Sequence, residues 1–215
     1  MNGRRGITLL GSAILLSALG DFLAVIPLAL HLQDASGSGL VVAGLFIALW
    51  TPAALLAGPA GLLVDRFDPR RTLVVVSVAQ ALVAAGLAFA DSTAAILALV
   101  GVLGCGVAVS TPAEFALVPA VADADRLKAA NGHVESARYL GYTLGPLLGG
   151  ALAASGGTHI ALLVDAASFG VVALVALALR PRPRPARGAR VAAGMEREAP
   201  EHAHAQHRDA TLTVR

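Results

Sequence analysis

Charge is scarce in this chain. Of its 215 residues, 14% are Asp, Glu, Lys or Arg, against about 25% in ordinary soluble domains. A soluble domain of this size needs far more polar surface, so the scarcity points to a bilayer as the solvent. Cysteine is scarcer still. Cys105 stands alone in an apolar run, which excludes an internal disulfide and reads as a structural thiol rather than a reactive one. No His/Cys/acid cluster, phosphate-cradling loop or nucleophile–base set appears at membrane depth, so the reading is of a non-enzyme with no metal, cofactor or nucleic-acid partner.

Apolar residues dominate what is present. They make up 56% of the chain, and the mean hydropathy is +0.73. Twenty-three glycines and eleven prolines suit transmembrane helices, which tolerate both better than soluble helices do. Six apolar runs, at 7–30, 40–63, 72–90, 94–118, 134–154 and 158–179, are each long enough to cross ~30 Å of hydrocarbon at ~1.5 Å per residue. The first run follows Arg4 and Arg5 as a signal peptide would, but its length and the lack of a small-x-small cleavage site favour a retained helix.

The basic residues set the orientation. Arg4 and Arg5 precede the first run, and Arg66, Arg70 and Arg71 lie between the second and third. Arg126, Lys128 and Arg138 lie before or near the start of the fifth, and the rest follow the sixth. These four places hold all 16 Lys and Arg residues. With six spans they share one face, which the positive-inside rule makes cytoplasmic. The expectation is a multi-pass protein of the cell membrane with both termini inside. Residues 1–6 form a short cytoplasmic start, 7–179 the helical bundle and 180–215 a disordered Arg/Pro/His-rich tail that lies on anionic lipid. His202, His204 and His207 in that tail read as solvated rather than metal-binding.

Several side chains do not suit a greasy helix. Asp21 lies well inside the first span, where an ionised carboxylate costs about 2.5–3.5 kcal/mol. It binds a proton or a cationic substrate, or it is hydrogen-bonded to a neighbouring helix. Glu114 and Arg138 lie a turn or so inside the basic boundary, and either pair across helices or snorkel to the interface. Glu135, Arg138, Tyr139 and Tyr142 share one helical face by their spacing. Asp165 reads as a structural helix–helix hydrogen bond. The hairpin at 61–71 is dense in charge, and its arginines serve topology. Asp65 does not, because acids contribute little to orientation.

The hairpin reads G-x-x-x-D-R-x-x-x-R-R at Gly61, Asp65, Arg66, Arg70 and Arg71. It resembles the loop between helices two and three of major facilitator superfamily transporters, departing at Asp68, where that family usually has glycine. Gly141-x-x-x-Gly145-Pro146-x-x-Gly149-Gly150 in the fifth span resembles the antiporter motif of the exporter branches. Thr111-Pro112-Ala-Glu114 with Leu117-Val-Pro119, Leu127-Lys-Ala-Ala-Asn131, and Asp165-Ala-Ala-Ser168-Phe169 are similar to the macrolide- and siderophore-exporter-like branch. The likeness runs from about Gly6 to Leu179 and corresponds to the N-terminal six-helix half of a twelve-helix fold.

The resemblance implies an all-α membrane bundle of two inverted three-helix repeats. In sequence, a carboxylate and a proline recur in the first helix of each triplet: Asp21 with Pro27, and Glu114 with Pro112. It further implies proton-coupled efflux of small hydrophobic or drug-like compounds. Asp21 would then line the cavity with Glu114 and Arg138 as further candidates, and the hairpin would act as a conformational latch. A half-length chain implies a homodimer, a separately encoded C-terminal half, or a truncated product without transport activity; the alternative of a different class is a non-transporting membrane scaffold or partner-binding module.

Overall fold

The computed structural model describes residues 3–179, so the tail expected at 180–215, with its three histidines, lies outside the described residues. Six α-helices follow one another: α1 Gly3–Ser36, α2 Gly39–Arg66, α3 Pro69–Leu87, α4 Thr93–Val121, α5 Leu127–Ala154 and α6 Thr158–Ala178. A single 3-10 turn, Ala124–Arg126, stands before α5. Three boundaries differ by four residues or more from the sequence expectation. α1 starts at Gly3, which puts Arg4 and Arg5 on the helix rather than in a separate start, and α1 also runs past residue 30 to Ser36. α5 begins seven residues before the expected 134, because Leu127–His133 is polar yet composed largely of good helix formers.

The connections have identifiable stops. α1 ends where Gly37 takes a positive φ of 64° and returns its N–H to the Gln33 carbonyl at 2.8 Å. Gly156, φ 73°, ends α5 in the same conformation. The turn between α2 and α3 needs no such glycine. Asp68 is extended, and its carboxylate caps α3 by accepting the Arg71 N–H at 2.9 Å, with Pro69 at the first helical position. That accounts for aspartate where the resembled loop has glycine. Ser92 caps α4 in the same way.

Five helices are long and apolar enough to cross a membrane by length and composition: α1, α2, α3, α4 and α6. α5 falls short because Lys128, Glu135, Arg138 and two tyrosines lie within its first sixteen residues. It still spans 28 residues, about 42 Å at ~1.5 Å per residue.

Apart from α3 and α4, helices adjacent in the chain barely touch. The main pairs are α1 with α5, α2 with α4, α3 with α6, α1 with α6 and α3 with α4. Exchanging α1 for α4, α2 for α5 and α3 for α6 turns this set into itself. That is the contact pattern of two three-helix repeats related by a two-fold axis, and it bears out the expected inverted repeat.

The ends of the α3–α6 pair obey the same exchange. Arg70, second residue of α3, donates from Nε to the Ala176 carbonyl at 2.8 Å and from its terminal nitrogen to the Leu177 carbonyl, at the end of α6. His159, second residue of α6, places Nδ1 2.5 Å from the Ala88 carbonyl at the end of α3. Each helix start thus meets the carbonyls left unpaired at its partner's end.

The interior consists of two apolar clusters. One gathers Leu10, Ile14, Val64, Leu73, Leu117, Val118, Val134 and Leu179 at the basic end. The other gathers Leu28, Leu32, Leu45, Leu87, Ile96, Val100, Leu162 and Phe169 at the opposite end. Polar side chains are buried as well: Ser17, Ser77, Gln80, Ser110, Glu114, Asp165 and Ser168.

Candidate functional site

The buried polar set is built from helix periodicity. On α1, Ser17 and Asp21 are four residues apart and so share a face, as do Ser110 and Glu114 on α4. α1 and α4 are the exchanged first helices of the two repeats, so Ser-x-x-x-acid recurs on both. Ser77 and Gln80 on α3 match Asp165 and Ser168 on α6 in the same manner, each pair three residues apart.

The two acids find different partners. Arg138 reaches from α5 to Glu114 at 2.9 Å, and both side chains are almost wholly buried, at 12% and 8% exposure. Its Nε meets Glu135 at 3.1 Å on its own helix, and its guanidinium lies 5.4 Å from the Phe115 ring centre. Of the two readings left open by sequence, the structure has the cross-helix pair rather than two side chains extended to an interface. A buried pair with satisfied geometry is costly to break by removing one member.

Asp21 has no such cation. α2, the helix that corresponds to α5 in the first repeat, carries no basic residue before Arg66. Asp21 instead lies within hydrogen-bonding reach of Asp165 on α6. Here α1 and α6 approach closely because residue 20 is glycine: a Cβ there would lie 2.6 Å from Ser168 Oγ and 2.9 Å from Asp165 Oδ1. Asp165 is 3% exposed, and its Oδ1 has no hydrogen-bond partner. The expected structural helix–helix bond for Asp165 is therefore only half made.

Both acids border an otherwise apolar cavity of about 80 Å³ formed by all six helices. Phe22, Phe46, Trp50, Leu162 and Phe169 are among its walls, and Tyr142 joins Asp21 and Asp165 as a polar lining group. Tyr142 is held by stacking on Phe22, ring centres 4.7 Å apart, and by edge contact with Tyr139 at 6.0 Å. Sequence reasoning placed Tyr142 beside Arg138 but missed Phe22 and the role of Asp165. The available signals were Gly20 directly before Asp21, and Ser168 one turn after Asp165.

The glycine motif of α5 divides. Gly141, Gly145 and Gly149 face α1: Cβ atoms on them would lie 2.7 Å from Ala18 Cβ, 2.7 Å from Phe22 Cβ and 2.5 Å from the Leu23 carbonyl oxygen. Gly150 faces open space, and α5 continues through Pro146 as one helix. Three of the motif's glycines thus bring the backbones of α1 and α5 together.

The hairpin residues also divide. Arg70 caps α6, as described above. Asp65, Arg66 and Arg71 are exposed and make no side-chain hydrogen bond or ion pair among the described residues, and Gly61 has open space around it. Gln80 was not foreseen. It is 3% exposed beside Gly106 and Cys105, and neither of its amide atoms has a partner.

The sequence profile of the Major Facilitator Superfamily matches residues 10–210, nearly the whole chain. The chain belongs to the major facilitator superfamily. Among solved structures, the fold matches a bacterial homologue of the human lysosomal transporter Spinster, in an inward-facing and unoccupied conformation, with a TM-score of 0.70 at 15% identity. The match covers 85% of this chain and 44% of that one, so the chain spans about half the length of the transporter it resembles. No protein in the curated collection compared matches it. Membership makes this a multi-pass protein of a non-enzymatic transporter family, and its six helices account for about half of a major facilitator fold.

Proposed function

We propose that this chain is one bundle of a proton-coupled exporter of small hydrophobic, drug-like compounds. The observation that carries the reading is the apolar, aromatic-walled cavity with Asp21, Asp165 and Tyr142 at its border. Intramembrane acids are expensive, and in transporters they mark substrate and proton paths. A scaffold has no use for them. The resemblance of the α5 glycine run to an antiporter motif favours export.

At about 80 Å³ the cavity is well below the ~300–1,000 Å³ of a complete small-molecule site. A second six-helix unit facing this one would complete it. The basic end is placed in the cytoplasm by the positive-inside rule. There Asp65, Arg66 and Arg71 are exposed and available to that second unit as a latch.

The test is made in the host. Deleting the gene should lower energy-dependent ethidium efflux from preloaded cells. Re-expressing the chain should restore it, and Asp21→Asn should not. Unchanged efflux on deletion, or full restoration by Asp21→Asn, overturns the reading.

A further inference from the structure

Asp21 and Asp165 come from different repeats and border one cavity at the α1–α6 seam, where a Cβ on Gly20, the residue before Asp21, would lie 2.9 Å from Asp165 Oδ1. An ionised carboxylate is acceptor-only. Two of them facing each other have nothing to donate, and in a low-dielectric interior they repel. The contact becomes favourable when one proton lies between them.

The surroundings offer little else: Ser168 lies beside Asp165, but its hydroxyl donates to the Asp165 backbone carbonyl at 2.7 Å. Arg138, the cation on α5, is engaged by Glu114 and Glu135. Tyr142 on α5 borders the same cavity, and Glu114 on α4 adds a further acid. The charged residues of α2 and α3 lie at the basic end, at Asp65, Arg66, Arg70 and Arg71. A second, independent observation concerns the orphan oxygen: Asp165 Oδ1 is buried, has no partner and belongs to a residue that lines the cavity.

We propose that Asp21 and Asp165 are a single proton-binding site, sharing one proton across the α1–α6 seam and releasing it to water admitted through the cavity. On release, the O–H bond of one carboxyl breaks, the proton passes to a water molecule and the electron pair stays on the carboxylate. Asp165 is then a partner of Asp21 in protonation rather than a structural hydrogen bond. The proposal deepens the transport reading at the same site, but its test reads protonation and not flux, so either can fail without the other.

The experiment uses the full chain, purified and held in lipid nanodiscs, with infrared difference spectra collected across a pH titration. Wild type should show a protonated-carboxyl C=O stretch, sensitive to deuterium exchange, that Asp21→Asn/Asp165→Asn removes. In each single Asn variant the surviving carboxyl should titrate about one pH unit or more from the wild-type midpoint, the size expected of coupled sites. Asn can still hydrogen-bond, so a purely structural Asp165 would leave the Asp21 titration where it was. The proposal is overturned if the survivors keep the wild-type midpoint, or if wild type has no carboxyl band that the double variant removes. Should Asp165→Asn not fold, Gly20→Ala keeps both acids while forcing α6 off α1, and an unmoved midpoint there counts equally against the pair.

Discussion

The division of the α5 glycines leads to a paired perturbation with opposite signs. A methyl group added at Gly145 would place its carbon 2.7 Å from Phe22 Cβ and 2.9 Å from the Leu19 carbonyl oxygen. The first distance is about 0.8 Å short of the ~3.5 Å at which two carbons rest. Phe22 Cβ is fixed to the α1 backbone, so no flexible side-chain end can swing away, and the helices themselves must part. Overpacking of this kind costs about 1–3 kcal/mol. Gly150→Ala makes the same chemical change where the added carbon meets nothing within 4 Å. It should be neutral or stabilise by up to about 1 kcal/mol, the ordinary gain of alanine over glycine in a helix. The assay is reversible unfolding in mixed detergent micelles with rising SDS fraction, followed by circular dichroism. Gly145→Ala should unfold at lower SDS than wild type and Gly150→Ala at the same or higher. Equal shifts for the two variants would refute the assignment of the motif to an α1–α5 interface.

Three further outcomes follow from named contacts. Glu114→Ala leaves the buried Arg138 only the more exposed Glu135 as a partner and should cost up to about 3 kcal/mol, the lower end for breaking a buried pair, whereas adding Arg138→Ala should recover part of the loss; strict additivity in the same unfolding assay would show that the two do not interact. Arg70→Ala removes charge-assisted hydrogen bonds to the end of α6 and should cost about 1.5–3 kcal/mol, and His159→Ala about 0.5–1.5 kcal/mol at the other end of the pair; hydrogen exchange should quicken in the last turn of α6 for the first and of α3 for the second. Asp68→Ala should cost about 1 kcal/mol and Asp68→Gly only a few tenths, while a turn that demanded glycine would instead be stabilised by Asp68→Gly.

Much of the fold is legible because it depends on composition and period. Runs of apolar residues longer than the hydrocarbon thickness announce helices, and Gly37, Asp68-Pro69, Ser92 and Gly156 mark where they stop or start. The uneven placement of arginine indicates an even number of crossings. The charged start of α5 was read as loop because a helix there buries little, and a hydropathy pattern sees only what is buried. Neighbourhood is the part that sequence hides. Short loops imply antiparallel neighbours, yet α1 packs on α5 and α6 rather than on α2, and no local pattern says so. Glu114 and Arg138 were legible as possible partners because opposite charges buried at similar depth have few other solutions. Asp21 and Asp165 were not, since like charges are not expected to seek each other, and Asp165 on its own looked like a solitary hydrogen bond. Arg70 was hidden for a third reason: its partners are backbone carbonyls at the end of α6, which any residues could supply.

α1 is the helix on which these arrangements converge. On one side it meets α5 through Gly141, Gly145 and Gly149, where backbones touch and little sliding is possible without collision. On another it meets α6 at Gly20, where the contact consists of Ser168 and two acids. The first seam is steric and indifferent to charge. The second is held by groups whose attraction depends on a proton. A change in protonation would therefore act on the α1–α6 seam and leave α1–α5 moving as one piece. The seam related to it by the two-fold exchange is α3–α4, where Gln80 packs against Gly106. Glutamine carries its own donors and does not titrate near neutrality, so that seam has no proton dependence of its own. The two seams share a packing plan, but only α1–α6 carries two facing acids, and that difference gives a near-symmetric bundle a place at which protonation can bias its shape.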